Sequence, residues 1–147
     1  TDQNKQMLTK ELAKSGQPVF FSSIQYGDLV SIAGEQPDQC TDVLLVTGIG
    51  NPTPLLEHLK SHYNVIHMKF PDHHAFTSVD IDNIHQKFNT FASRDKIIVT
   101  TEKDYMRLQQ FEAVVNGSTP WFYQPIDIII NEDTKLKNLL NTYVRKN

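Results

Sequence analysis

The sequence of 147 residues contains a single cysteine, Cys40, so no internal disulfide can form and a reducing compartment fits best. Cys40 lies in the polar connector from Gln36 to Asp42, with no helix start or basic neighbour to activate it, and reads as an incidental thiol. Long apolar runs are also absent. The longest, around Ile128 to Ile130, falls far short of the roughly 20 residues that a membrane span needs, and no signal-peptide pattern stands out, so a soluble piece is expected. Charge of one sign is not in excess: 14 basic against 17 acidic residues give a formal net charge of −3, without a basic stripe, which argues against a nucleic-acid partner. There is no internal repeat, no low-complexity tract and no strongly amphipathic basic helix of the kind that lies on lipid. The phosphate loop Gly-x-x-x-x-Gly-Lys-Ser/Thr does not occur anywhere in the chain.

What is present is an ordinary globular composition, 39% hydrophobic and 21% charged, long enough to bury a core without metal or disulfide staples. The chain opens on Thr1 and a polar segment, the look of an excised fragment or a processed chain. Residues 2–14 are good helix formers, and Gly16 is placed to end that helix. A strand is expected over 18–26, then a linker or edge segment from Leu29 to Thr41 that carries Gly34 and Pro37. That segment divides the chain into an N-terminal helix, strand and connector at 1–41 and an α/β domain at 42–147.

From Asp42 the pattern becomes regular. Strands are expected at 43–47, 64–69, 96–100 and within 121–130, where Pro125 marks an edge or a bulge. Helices are expected at 54–62 with Thr53 as N-cap, at 78–92 behind a Thr77/Asp80 capping box, at 102–113 behind Thr101, and at 133–145. Such alternation predicts βαβ units: an α/β fold, a three-layer Rossmann-like domain with a mostly parallel sheet. Parallel order then gathers three polar turns on one edge of the sheet, the edge where ligands bind in open α/β folds.

Each turn has a plain reading and a chemical one. Asp72-His73-His74 makes a good turn, with an imidazole satisfying a nearby carbonyl. It is equally a candidate for acid–base work, in which an imidazole that titrates near neutrality relays a proton and a carboxylate fixes its tautomer. A metal-dependent phosphoesterase site is the third reading, but adjacent side chains rarely converge on one ion, and only the isolated Asp28, Asp38 and Asp42 lie upstream. Gly48-Ile49-Gly50-Asn51-Pro52 is either a tight turn or an incomplete phosphate loop, since Thr53 stands where a third glycine would be. Thr100-Thr101-Glu102-Lys103-Asp104 is a capped helix start, in which Lys103 is electrostatically out of place unless an anion or a carboxylate faces it.

In order along the chain, Gly-Ile-Gly-Asn-Pro, Phe-Pro-Asp-His-His-Ala-Phe-Thr and Thr-Thr-Glu-Lys-Asp followed by Arg107-Leu108 closely resemble the C-terminal half of the tetraacyldisaccharide 4′-kinases, the lipid A 4′-kinases of Gram-negative bacteria. The resemblance covers about residues 43–130, and Phe20 to Gly27 looks like the family's connector into this domain. It implies transfer of the ATP γ-phosphoryl group, with Mg²⁺, to the 4′-hydroxyl of an acylated disaccharide phosphate. The setting it implies is peripheral, at the cytoplasmic face of the bacterial inner membrane. It further implies that a missing N-terminal P-loop domain holds ATP and Mg²⁺, that this fragment holds no cofactor or metal of its own, and that the fragment alone is inactive. By motif position His73 is the imidazole that pairs with an Asp of the absent domain. Asp72 and His74 shape the turn, and Asn51, Thr101, Glu102, Lys103 and Asp104 face substrate or nucleotide. A non-catalytic α/β module that binds a phosphorylated ligand or a partner protein is the alternative from a different class.

Overall fold

A computed structural model of the protein describes residues 2–12, 18–35, 37 and 39–146. Gly16, expected to close the first helix, lies outside them, as do Gln36 and Asp38 of the connector. The elements run α1 (Asp2–Leu12), β1 (Ser22–Tyr26), β2 (Val30–Ala33), β3 (Asp42–Thr47), α2 (Thr53–Lys60), β4 (Asn64–Lys69), α3 (Ser78–Asn89), β5 (Lys96–Thr101), α4 (Glu102–Leu108), α5 (Glu112–Val115), β6 (Trp121–Gln124), β7 (Ile126–Ile130) and α6 (Asp133–Lys146). They fall into two units, Tyr26–Pro125 and a second made of Thr1–Gln25 with Ile126–Asn147.

Tyr26–Pro125 is the α/β unit. Its five strands stand in the order β2-β6-β5-β3-β4; β3 is parallel to both β4 and β5, β5 is parallel to β6, and β2 runs antiparallel to β6 at the edge. Val43 to Val46 and Ile97 to Val99 are buried on both faces of the sheet, which is why these strands read as unbroken apolar runs. Successive residues point to opposite faces and so feed two cores. On one side Val43, Leu45, Ile97, Val99 and Phe122 pack with Leu55 and Leu59 of α2. On the other, Leu44, Val46, Ile98 and Trp121 pack with Ile81, Ile84 and Phe88 of α3, Leu108 of α4 and Val114 of α5. The result is the expected three-layer α/β fold with a mostly parallel sheet.

Several boundaries differ from those expected. Residues 30–33 of the presumed linker form the antiparallel edge strand, so the α/β unit begins at Tyr26, whereas the sequence boundary was placed after Thr41. The strand expected within 121–130 is two strands in two different sheets, parted at Pro125, which has no N–H to continue a ladder. The helix expected over 102–113 divides into α4 and α5. The N-cap of α2 is Pro52, not Thr53, and makes no side-chain cap.

The second unit pairs β1 with β7 in a two-stranded ladder, extended where the Asn131 N–H donates to the Phe21 carbonyl at 2.8 Å. No helix among the described residues is long and apolar enough to cross a membrane. Cys40 is half-buried, and burial pushes its thiol up, consistent with an inert role.

Candidate active site

β3 sits between β4 and β5, and the chain leaves it first toward β4, then returns past it to β5. In a doubly wound sheet this reversal opens a crevice at the carboxyl ends of the strands, here between β3 and β5. The loops after β3, β4 and β5 meet there, and their contacts explain most of their sequence.

At the centre is Asp104, which is fully buried. Its Oδ2 accepts from the Gly48 N–H at 2.9 Å and from the Thr101 hydroxyl at 2.8 Å, while its own N–H donates to Thr101 Oγ1 at 3.0 Å. Its Oδ1 takes a 2.7 Å bond from Arg107 Nη2. Arg107 also reaches two loop carbonyls: Nη1 donates to that of His74 at 3.1 Å and Nη2 to that of Gly48 at 3.4 Å. Gly48 is required by this crowding. A Cβ there would lie 3.1 Å from Asp104 Oδ1 and 3.4 Å from the Pro71 carbonyl.

The two histidines separate cleanly. The His74 ring packs on Phe70 and Phe76, with centroids 4.8 and 5.1 Å away, and its Nε2 lies 3.1 Å from Asp80 Oδ2. The same carboxylate oxygen accepts from the Thr77 N–H at 2.8 Å and the Thr77 hydroxyl at 2.7 Å, closing the capping box of α3. Partial burial pushes the Asp80 carboxyl up, but the bonds from Thr77 and His74 outweigh it, and the net result is below the ordinary carboxylate value. His74 is thus committed to the start of α3.

His73 does the opposite. Its side chain is 72% exposed, and its backbone is left-handed, with φ of 57°, held by a 3.0 Å bond from its N–H to the Gly48 carbonyl. Few residues with a Cβ adopt that conformation, although histidine is among those that do so more often. The turn therefore aims this imidazole outward. Lys103 Nζ lies 3.2 Å from His73 Nε2, and Asp72 Oδ1 lies 3.9 Å from both. An ammonium only donates, so a hydrogen bond between the two is one that the Nε2 lone pair accepts. Lys103, anomalous by dipole rules at the start of α4, here faces a carboxylate and an imidazole.

The remaining expected site residues divide. Asn51 is exposed on the same edge, where its Oδ1 accepts from the Thr53 N–H at 3.3 Å, and Glu102 is exposed at the start of α4. Asp104 and Thr101, expected to face substrate or nucleotide, do not. Both are turned inward and bonded to each other, and three donors, from Gly48, Thr101 and Arg107, offset the cost of burying the carboxylate. Arg107 was seen in the sequence only as part of a motif, and its place as the bridge between two loops had no sequence signal. Among the described residues no three metal-ligating side chains converge, and His74 Nε2 is engaged with Asp80, so the structure gives no support to an Asp72-His73-His74 metal site.

Fold and site together define a class: a Rossmann-like α/β domain that presents an outward imidazole, flanked by a carboxylate and an ammonium, at the carboxyl edge of its sheet. Residues 1–145 match the family model of tetraacyldisaccharide-1-P 4′-kinase, LpxK, and the chain belongs to that family. It is 36% identical over 149 residues to a tetraacyldisaccharide 4′-kinase of Bacteroides thetaiotaomicron, covering 89% of this chain and 39% of the relative. It is 37% identical over 134 residues to that of Cytophaga hutchinsonii, covering 88% and 36%. The chain thus spans about two fifths of the length of these relatives. Among solved structures, the "apo" form of LpxK from Aquifex aeolicus in complex with ATP matches with a TM-score of 0.50 at 20% identity, over 86% of this chain and 36% of that one, a likeness of fold.

Proposed function

We propose that this chain is the α/β portion of a longer kinase that transfers the ATP γ-phosphoryl group to the 4′-hydroxyl of an acylated disaccharide 1-phosphate in lipid A biosynthesis, at the cytoplasmic face of the inner membrane. Family membership supports the reaction class. The observation that carries the site is His73, exposed at the carboxyl edge of the sheet with its Nε2 lone pair directed at Lys103.

The residues present do not fit Mg²⁺ or the phosphates of ATP. The chain has no P-loop sequence, and among the described residues no three acidic, histidine or cysteine side chains are grouped so that they could hold a metal ion. Those groups belong, on this proposal, to the rest of the longer protein.

What this chain's residues do is handle a proton and position charge. When the acceptor hydroxyl takes the place of Lys103 at His73 Nε2, the imidazole receives or relays its proton, and Asp72 stabilises the imidazolium that forms. Lys103, released, offers an ammonium to a phosphate oxygen, with Asn51 and Glu102 beside it on the rim. Because His73 is left-handed, His73→Asn is a cleaner variant than His73→Ala: Asn tolerates that backbone and cannot act as a base. In the full-length enzyme it should lower kcat by about 10²- to 10⁴-fold. Steady-state kinase assays in which His73→Asn keeps kcat within about threefold of wild type would remove the assigned role. In the same assay the 147-residue chain by itself is expected to give no turnover.

A further inference from the structure

We propose that Asp104 and Arg107 are positioning residues that present His73, acting through the backbone of two loops rather than on substrate. The inference rests on the reading of His73 as the proton-handling group. His73 owes its outward aim to a left-handed turn, closed within itself by the bond from the His74 N–H to the Pro71 carbonyl and fastened to the β3 loop by the bond from the His73 N–H to the Gly48 carbonyl. Gly48 is in turn fixed at both of its backbone polar atoms. Its N–H is held by Asp104 Oδ2, and its carbonyl is shared between His73 and Arg107 Nη2. Arg107 Nη1 holds the next carbonyl of the Asp-His-His turn, that of His74. One guanidinium therefore spans the β3 loop and the β4 loop, and one fully buried carboxylate orients that guanidinium.

The chemistry selects arginine. A planar fork can donate to a carboxylate and two carbonyls at once, whereas a lysine ammonium at the end of a flexible stem cannot hold the same three acceptors in one plane. Neither Asp104 nor Arg107 needs to touch substrate for its loss to matter, because a displacement of about 1 Å at the reacting group can cost on the order of 10²-fold in rate.

The test uses the full-length enzyme with Arg107→Gln and Arg107→Lys, each alone and in the His73→Asn background. Arg107→Gln should lower kcat by between about 10- and 100-fold while KM stays within about threefold, with Arg107→Lys intermediate. In the His73→Asn background the same substitution should have little further effect, since the group it positions is gone. Amide hydrogen exchange should quicken at residues 48–51 and 72–75 of Arg107→Gln, with β3 and β5 as protected as before. Equal losses in both backgrounds, unchanged exchange in the two loops, or loosening that spreads into the strands would each overturn the inference. Should His73→Asn retain its kcat, the acid–base reading falls separately. The clamp is then decided by exchange, standing if loosening is confined to the two loops and falling if it is not.

Discussion

At the scale of single residues, the two glycines of Gly48-Ile49-Gly50 look interchangeable in the sequence but are opposite cases in the fold. A Cβ on Gly48 would press on Asp104 Oδ1 at 3.1 Å, and that carboxylate is fixed by Gly48, Thr101 and Arg107 and cannot give way. A Cβ on Gly50 would meet Asp72 Oδ2 at 3.3 Å, the tip of an exposed side chain that can swing aside. Gly48→Ala is therefore expected to destabilise by about 1–3 kcal/mol through overpacking, and Gly50→Ala to stay within about 0.5 kcal/mol of wild type. Chemical denaturation of the two variants side by side reads the difference. A similar contrast explains which histidine is available. The tripeptide alone does not say which ring turns outward, because neighbouring residues in a turn have no periodicity to sort them. The Thr77-x-x-Asp80 box four residues later was legible, and Asp80 is the group that takes His74 out of play.

At the scale of elements, α3 shows how one cap serves both stability and the site. Thr77 and Asp80 exchange bonds at its first turn, and Asp80 Oδ2 also anchors His74. Thr77→Ala should cost about 1 kcal/mol of stability by loss of the cap, seen as a lowered denaturation midpoint. Because His74 keeps its aromatic contacts with Phe70 and Phe76, the turn itself should survive, with His73 still outward. The strands and helices that the sequence made plain were those with a continuous buried run or a cap: β3, β5, α3 and the start of α4. Those it hid were short and defined by partners distant in sequence. β2 has four residues, two of them exposed, and becomes a strand only because β6, about ninety residues on, is there to pair with it. The break between β6 and β7 was marked by Pro125, but a proline cannot say that the strands on either side join different sheets. Arg107 was hidden for a related reason. An Asp and an Arg three residues apart on a helix look like an ordinary surface pair, and only the fold shows the carboxylate buried and the guanidinium spread over two loops.

At the scale of the whole molecule, the α/β unit is tied at its two ends: the Gly27 N–H donates to the Pro125 carbonyl at 3.1 Å, and the Gln124 side chain donates to the Gly27 carbonyl at 2.6 Å. A unit so closed should unfold cooperatively, and its response to acid is set by histidines spread across it. His58 stacks on Tyr26, His67 meets the Thr47 hydroxyl at 2.8 Å, and His85 Nε2 accepts from the indole N–H of buried Trp121 at 3.0 Å. Burial pushes all three imidazoles below their ordinary value of 6.5, with His62 adding to the effect at His58 and Lys69 and Lys60 at His67, while Asp82 opposes it at His85. Each is therefore neutral in the folded state over a range where the unfolded chain has begun to take up protons. The unfolded state binds more protons there, so stability rises with pH. These contributions are complete above 6.5 and are lost as pH falls through the lower folded values; Asp80, also depressed, adds a loss only in stronger acid, below its ordinary 3.8. Urea midpoints measured from pH 7.5 down to pH 5 should decline. His85→Gln, which keeps an acceptor for Trp121 but cannot charge, should flatten part of that decline, and a slope unchanged by His85→Gln would mean that the Trp121–His85 contact does not govern the acid response.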